Sequence, residues 1–302
     1  MEPQADHLLA GTPSHPMHVA FVPPAATSGT RRLPVVMLHG GFHTGAAYLA
    51  PPDGGTGWAA RFARRGHPVH VPDWPGHGQS PGFERLADLG TEDIARSLAA
   101  LLATTGPALL VAHSAAGPLA WWLAENHPAQ VAAIIGIAPG PSAELLPALP
   151  DDPQALAALR DDESAGCPVY ARPGEPVRVD RDFIRAFWAS SPRFPQQAFE
   201  AYAATVVPES PRLLNERFNI GGRGLKLRAP SRVGERPVLV VTGEHDHRHP
   251  RATDEALARH LGASFLWLPD IGIRGNGHML MLEDNREAIA DALVAWLESR
   301  GL

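Results

Sequence analysis

Cysteine is nearly absent: Cys167 stands alone among 302 residues, which excludes an internal disulfide framework. No apolar run reaches membrane-spanning length, and the opening MEPQADHLLAGTPSHP lacks a basic start followed by an apolar stretch. Neither a membrane partner nor a secretory leader is expected, and the sequence points to a cytoplasmic protein. Charge is also sparse. Charged residues make up 19% of the chain, and 26 Lys and Arg against 32 Asp and Glu leave a net charge of -6, so there is no basic footprint for nucleic acid. Repeats and low-complexity tracts are missing too. What remains is an ordinary globular composition, 44% hydrophobic, at a length typical of one α/β core with an insertion. A small-molecule substrate is the partner this balance favours, and a homodimer is left open.

Strand and helix signals alternate from Arg32 onward. LPVVMLHG reads as a buried strand by its continuous apolar run, and HPVHVPDW, PALLVAHS, VAAIIGIAPG, RPVLVVTG and SFLWLPD read as further strands. Between them lie helical patterns: TGWAARFARRG closed by Gly66, TEDIARSLAALLATTG with Thr91 as its cap and Asp93 in its first turn, a helix after Ser114, one from about Thr253 to Leu261, and REAIADALVAWLESR. Such alternation predicts an α/β fold with a mostly parallel sheet, because parallel strands need crossover connections. Ligands then gather at the carboxyl ends of the strands. The rhythm breaks between Gly140 and Glu235, a segment rich in proline and in aromatics at helical spacing such as Phe183 and Phe187. The expected organisation is therefore a core formed by residues 1–139 and 236–302, with a helical cap at 140–235.

Three segments at strand ends carry the candidate chemistry. Ser114 lies in VAHSAAG between a strand and a helix, Asp246 follows a strand in VVTGEHDHRHP, and His278 sits in the glycine-rich GIRGNGHMLMLEDN. A serine hydroxyl attacks only when an imidazole takes its proton, and the imidazole needs a carboxylate to fix its tautomer and stabilise its cation. Glu244 and then Glu144 are the rival acids. The backbone amides of Gly41 and Ala115 are the expected oxyanion donors, with Gly40 and Gly41 allowing close backbone approach. The G-x-S-x-G elbow pattern is incomplete, since Ala112 and Ala116 replace both glycines, but alanine is the next smallest residue and Gly117 remains.

From Pro34 to Leu297 the chain, with its order Ser, acid, His, resembles an α/β-hydrolase interrupted by a cap. Within that superfamily it is similar to a bacterial esterase subgroup with H-G-x-x-x-T-G in the oxyanion loop, P-D-G-x-x-G-W ahead of the first helix and G-N-x-H-M at the histidine. His39, Gly40, Thr44, Gly45, Asp53, Gly54, Gly57, Trp58, Asn276 and His278 match. The chain departs from the characterised type of that subgroup at two places. Gly41 and Phe42 stand where that type has paired cysteines, and Ala138 stands where it has its catalytic glutamate. The resemblance implies a serine hydrolase that cleaves a carboxylic ester, or a thioester or lactone, of a small hydrophobic substrate through an acyl-enzyme, without a cofactor. The same fold also serves carbon-carbon hydrolases, lyases and cyclases, and non-catalytic small-molecule receptors.

Other residues have plainer expectations. Phe42, His113, Phe187 and Trp188 are candidates for the substrate pocket, although strand alternation would turn His113 away from Ser114. His39 and Asp73 suit loop geometry, Cys167 is an inert cap thiol, and Met279 and Met281 suit packing. His245, His247 and His249 alternate beside Asp246, but the chain leaves the sheet there, so no metal site is expected.

Overall fold

The computed structural model describes residues 5–25, 32–160 and 169–302; Cys167 lies outside them. Among the described residues eight strands form one sheet: β1 Asp6–Thr12, β2 His15–Val22, β3 Val35–Leu38, β4 Val69–Pro72, β5 Ala108–His113, β6 Val131–Ile137, β7 Val238–Thr242 and β8 Ser264–Trp267. Their order across the sheet is β1-β2-β4-β3-β5-β6-β7-β8. From β4 to β8 all neighbours are parallel, whereas β1 and β2 form an antiparallel hairpin that extends the sheet beyond β4. That hairpin has no counterpart among the expected strands.

The central strands are buried on both faces, as parallel strands covered by helices must be. Alternation sorts their side chains into two layers. Val35, Met37, Leu109, Val111, Leu239 and Val241 join one core, and Val36, Leu38, Leu110, Ala112, Val238 and Val240 the other. The first is covered by α1 Ala46–Leu49, α2 Trp58–Arg64 and the helix Arg286–Glu298, through Tyr48, Trp58, Phe62, Ile289 and Leu293. The second is covered by α3 Thr91–Thr105, α4 Gly117–Asn126 and the helix Arg251–Leu261, through Leu98, Trp121 and Leu257. In α3 the cap is Gly90 rather than Thr91: the Asp93 carboxylate accepts the Gly90 N–H at 3.0 Å, and Thr91 is the first helical residue.

Between β6 and β7 the chain forms short helices, α5 Pro153–Ala157, α6 Arg181–Phe187, α7 Phe199–Ala203 and α8 Pro211–Arg217. Asp152, Asp180 and Ser210 cap three of them with side-chain oxygens. The segment packs on the core through Ile184, Trp188, Phe194, Phe199 and Tyr202. The helices Arg251–Leu261 and Arg286–Glu298 are α9 and α10. Among the described residues no helix is long and apolar enough to cross a membrane.

Candidate active site

Ser114 directly follows β5 at a turn whose tightness is visible in its backbone, a left-handed φ of 52° on a residue with a side chain. Such a conformation costs on the order of 1–3 kcal/mol and persists only where the surroundings enforce it. The crowding falls on Gly117 rather than on Ala112 or Ala116, which are both buried without a glycine's freedom. A methyl on Gly117 would stand 2.5 Å from the Gly140 oxygen, which explains why that glycine is kept while the pattern glycines are not.

The three strand-end segments meet. Ser114 Oγ lies 3.1 Å from His278 Nε2, and His278 Nδ1 lies 2.7 Å from Asp246 Oδ2. All three side chains are buried. The rival acids are occupied elsewhere. Glu244 accepts the Gly275 N–H at 2.6 Å, and Glu144 accepts the Ser142 hydroxyl and the Leu227 N–H. Ala138 offers no acid; its φ of 41° and its N–H, donated to the Val241 oxygen, only shape the end of β6.

The histidine loop is fixed from both sides. Gly243 lets it pass beside β7, where a methyl would meet the Asn276 oxygen at 2.5 Å, and His245 N–H donates to that same oxygen at 2.8 Å. From the other side Glu283 accepts the Gly277 N–H, the Asn276 amide and the Ser191 hydroxyl. The D-G-x-x-G-W motif belongs to the same scaffold. Asp53 forms a two-pronged pair with Arg286 at 2.7 and 2.9 Å, and the Trp58 indole donates to the Arg286 oxygen at 2.9 Å. Arg286 opens α10, so the motif anchors the helix that follows the histidine.

Burial and charge set the protonation states. Burial works against an ionised Asp246, but His278, His249 and the Arg248 N–H hold its carboxyl well below the usual range. Burial lowers His278 below the ordinary imidazole value even though Asp246 pulls it upward. His249 moves the other way: burial is outweighed by Asp246 and by Asp254, 3.0 Å from its Nδ1. Donor atoms of Asp246, His249 and His278 lie within 4.8 Å of one another, the arrangement among the described residues that could hold a metal ion. It shares two members with the serine-imidazole-carboxylate row, and His245 and His247 are not part of it.

Gly40 and Gly41 lie close against the elbow at Ser114. A methyl on Gly40 would stand 3.0 Å from Ser114 Cβ, and one on Gly41 would stand 3.6 Å from Ala115 Cβ. The two segments proposed to supply oxyanion donors are therefore opposed across the elbow. His39 has the loop role expected of it, donating through Nδ1 to the Gly40 oxygen and accepting the Trp74 N–H on Nε2. Asp73 likewise accepts the Gly45 and Gln79 amides.

A cavity of about 460 Å³ lies beside this row, within the range of small-molecule sites, and is lined by Phe42, Phe183, Trp188, Leu214, Phe218 and His278 among others. Phe42 and Trp188 are on its wall. Phe187 is not; its ring packs against Phe183 at 4.7 Å, one helical turn away, with Arg248 over it. His113 is not on the wall either. As alternation predicts, its ring lies on the face of Val111 and of its register partner Ile137 and packs against the histidine loop, 4.7 Å from the His278 ring, and its Nε2 donates to the His278 oxygen at 3.1 Å. His113 is the last residue of β5, and the next one starts the elbow.

Sequence reasoning missed two polar clusters around the glycine loop. His43 donates through Nδ1 to the Gly41 oxygen at 2.7 Å and accepts from the Tyr202 hydroxyl at 2.8 Å, and burial lowers its pKa to about 4. Glu209, fully buried, accepts the Phe42 N–H at 2.9 Å and faces His77 at 3.0 Å.

The sheet order and the strand ends that bear these side chains define an α/β-hydrolase architecture. Residues 35–292 match the Alpha/beta hydrolase family, and the chain belongs to that family. It is similar to "Probable secreted lipase phiG" of Fungal sp., 23% identical over 331 residues, spanning 90% of this chain and 83% of that protein. It is also 33% identical over 143 residues to "Pyrethroid hydrolase" of Sphingobium wenxiniae, a match that spans 44% of this chain and 48% of that one. Among solved structures, a thermophilic esterase from Thermogutta terrifontis superposes with a TM-score of 0.64 at 20% identity, covering 98% of both chains.

Proposed function

We propose that the chain is a serine hydrolase that cleaves a carboxylic ester of a small hydrophobic substrate through an acyl-enzyme. The observation that carries this reading is the hydrogen-bonded row from Ser114 through His278 to Asp246. Relatives named lipase, pyrethroid hydrolase and esterase support ester cleavage over other chemistry on this fold. The apolar cavity against His278 supports the hydrophobic substrate, with the segment 140–235 acting as the cap that forms most of its wall.

The steps follow from the geometry. The His278 Nδ1–H is held by Asp246, so Nε2 carries the lone pair and accepts the Ser114 proton as Oγ attacks the ester carbonyl. The carbonyl π pair moves onto oxygen, and the amides of Gly41 and Ala115 bind the resulting oxyanion. When the intermediate collapses the carbon–alkoxide bond breaks, and His278 returns its proton to the leaving alcohol. Water repeats the sequence on the acyl-enzyme, releasing the acid and restoring Ser114. Replacing Ser114→Ala should abolish turnover of 4-nitrophenyl esters and covalent labelling by a fluorophosphonate. Labelling that persists in Ser114→Ala would remove this serine from the mechanism.

A further inference from the structure

Glu209 is buried in the loop between α7 and α8, just ahead of the Ser210 cap, and all of its bonds run to backbone or to one imidazole. Oε2 accepts the Phe42 N–H at 2.9 Å; Oε1 accepts the Ser210 N–H at 2.7 Å and the His77 Nε2–H at 3.0 Å. Its own backbone is paired in both directions with Val177. Phe42 in turn is a non-glycine residue at a φ of 63°, with its oxygen accepting the Val207 N–H at 2.9 Å. Both polar backbone groups of this strained residue are thus held by the inserted segment, and Phe42 directly follows Gly41. A methyl on Gly41 would stand 3.3 Å from Glu209 Oε2.

We propose that Glu209 is the positioning residue of the oxyanion hole: by fixing the left-handed turn at Phe42 it aims the Gly41 N–H at the reacting carbonyl, and His77 offsets its charge there. The inference rests on the serine-hydrolase reading. An ionised carboxylate this close to the glycine loop would oppose a developing oxyanion in a low-dielectric site. Both nitrogens of His77 face acceptors, Pro75 oxygen at 3.0 Å and Glu209 at 3.0 Å, so the imidazole carries both protons and its charge cancels that of the carboxylate. Glu209 touches no reacting atom. Its effect passes through the peptide between residues 41 and 42, and a misplacement of about 1 Å at such a donor costs on the order of 100-fold in rate.

The test compares Glu209→Ala and the near-isosteric Glu209→Gln with wild type on a 4-nitrophenyl ester, and measures Ki for a trifluoromethyl ketone and for the matching unfluorinated ketone. The first ketone adds Ser114 and needs the oxyanion donors; the second reports occupancy of the cavity. Glu209→Ala should lose about 100-fold in kcat with KM within about threefold, and its trifluoromethyl-ketone Ki should rise by the same factor while the plain-ketone Ki stays put. Glu209→Gln has one acceptor oxygen for N–H donors on both sides, Phe42 on one and Ser210 with His77 on the other, and should fall between Glu209→Ala and wild type. If the alanine variant does not fold, the glutamine variant carries the same test, its loss in kcat matched by the rise in trifluoromethyl-ketone Ki. A loss of kcat without that rise, equal weakening of both ketones, or wild-type kinetics in Glu209→Ala would overturn the proposal. A wild-type protein that hydrolyses no ester and takes no fluorophosphonate label would instead overturn the hydrolase reading, and this role with it.

Discussion

Replacing Asp246→Asn removes a charge while keeping the shape, and the structure fixes which way the new amide must turn. Asp246 Oδ1 accepts the Arg248 N–H at 3.1 Å, and Oδ2 accepts from His278 at 2.7 Å. Asparagine has one oxygen, and the Arg248 amide can only donate, so the oxygen stays with Arg248 and the NH₂ faces His278. Nδ1 must then accept, which moves the ring proton to Nε2, the atom 3.1 Å from Ser114 Oγ. An imidazole protonated there cannot take the serine proton. The expected loss in kcat is on the order of 10⁴-fold, about 5.4 kcal/mol of barrier, with KM little changed. Steady-state hydrolysis of a 4-nitrophenyl ester and the rate of fluorophosphonate labelling should fall together. Glu144→Gln, whose carboxylate bonds Ser142 and Leu227, is the control and should stay within about threefold. Asp246→Asn within tenfold of wild type, or a greater loss in Glu144→Gln or Glu244→Gln, would refute the assignment of the acid.

Three further outcomes are expected. Gly117→Ala puts a methyl 2.5 Å from the Gly140 oxygen and should destabilise the fold by about 1–3 kcal/mol, read from the urea midpoint; an unchanged midpoint contradicts the crowding at the elbow. Because burial lowers His278, the acid limb of kcat/KM should fall below pH 6.5, activity being lost as the ring gains its proton; a limb above 7 contradicts that balance. Burial lowers His77, but Glu209 outweighs it and the folded value lies above 6.5. Its contribution to stability is therefore complete below about pH 6.5 and is lost as pH rises through the higher folded value, so unfolding midpoints should decline on the alkaline side and flatten in His77→Gln. Parallel profiles for the two proteins between pH 6 and 9 would count against the pair.

The parallel sheet was legible because β3, β5, β6 and β7 are continuous apolar runs separated by helical patterns. The N-terminal hairpin was not. Leu8 and Leu9 of β1 are 47% and 72% exposed, so that strand shows no buried face for a periodicity to report, and β2 finds its partner β4 some fifty residues on. Asp246 and Glu244 are two residues apart at a strand exit, where alternation fails and only the turn decides which carboxylate reaches position 278. Glu209 left less trace still. Its partners are 167 and 132 residues away, and a glutamate between prolines in VVPESPR reads as loop chemistry until folding buries it. The cap signal at Ser210 is visible in sequence, whereas the reason for a charge beside it exists only in three dimensions. His113, still inside β5, follows the strand alternation, but the contact of its ring with the backbone of residue 278 exists only in three dimensions.

The clasp between Asp53 and Arg286 sets an order of events. The imidazole reaches the hydroxyl on a loop whose far side is pinned by α10, and every described strand precedes residues 278 to 298 in the chain. On a growing polypeptide the serine is therefore made well before the imidazole that stands opposite it. On the serine-hydrolase reading, a ribosome-bound chain that ends short of residue 278 should show no esterase activity.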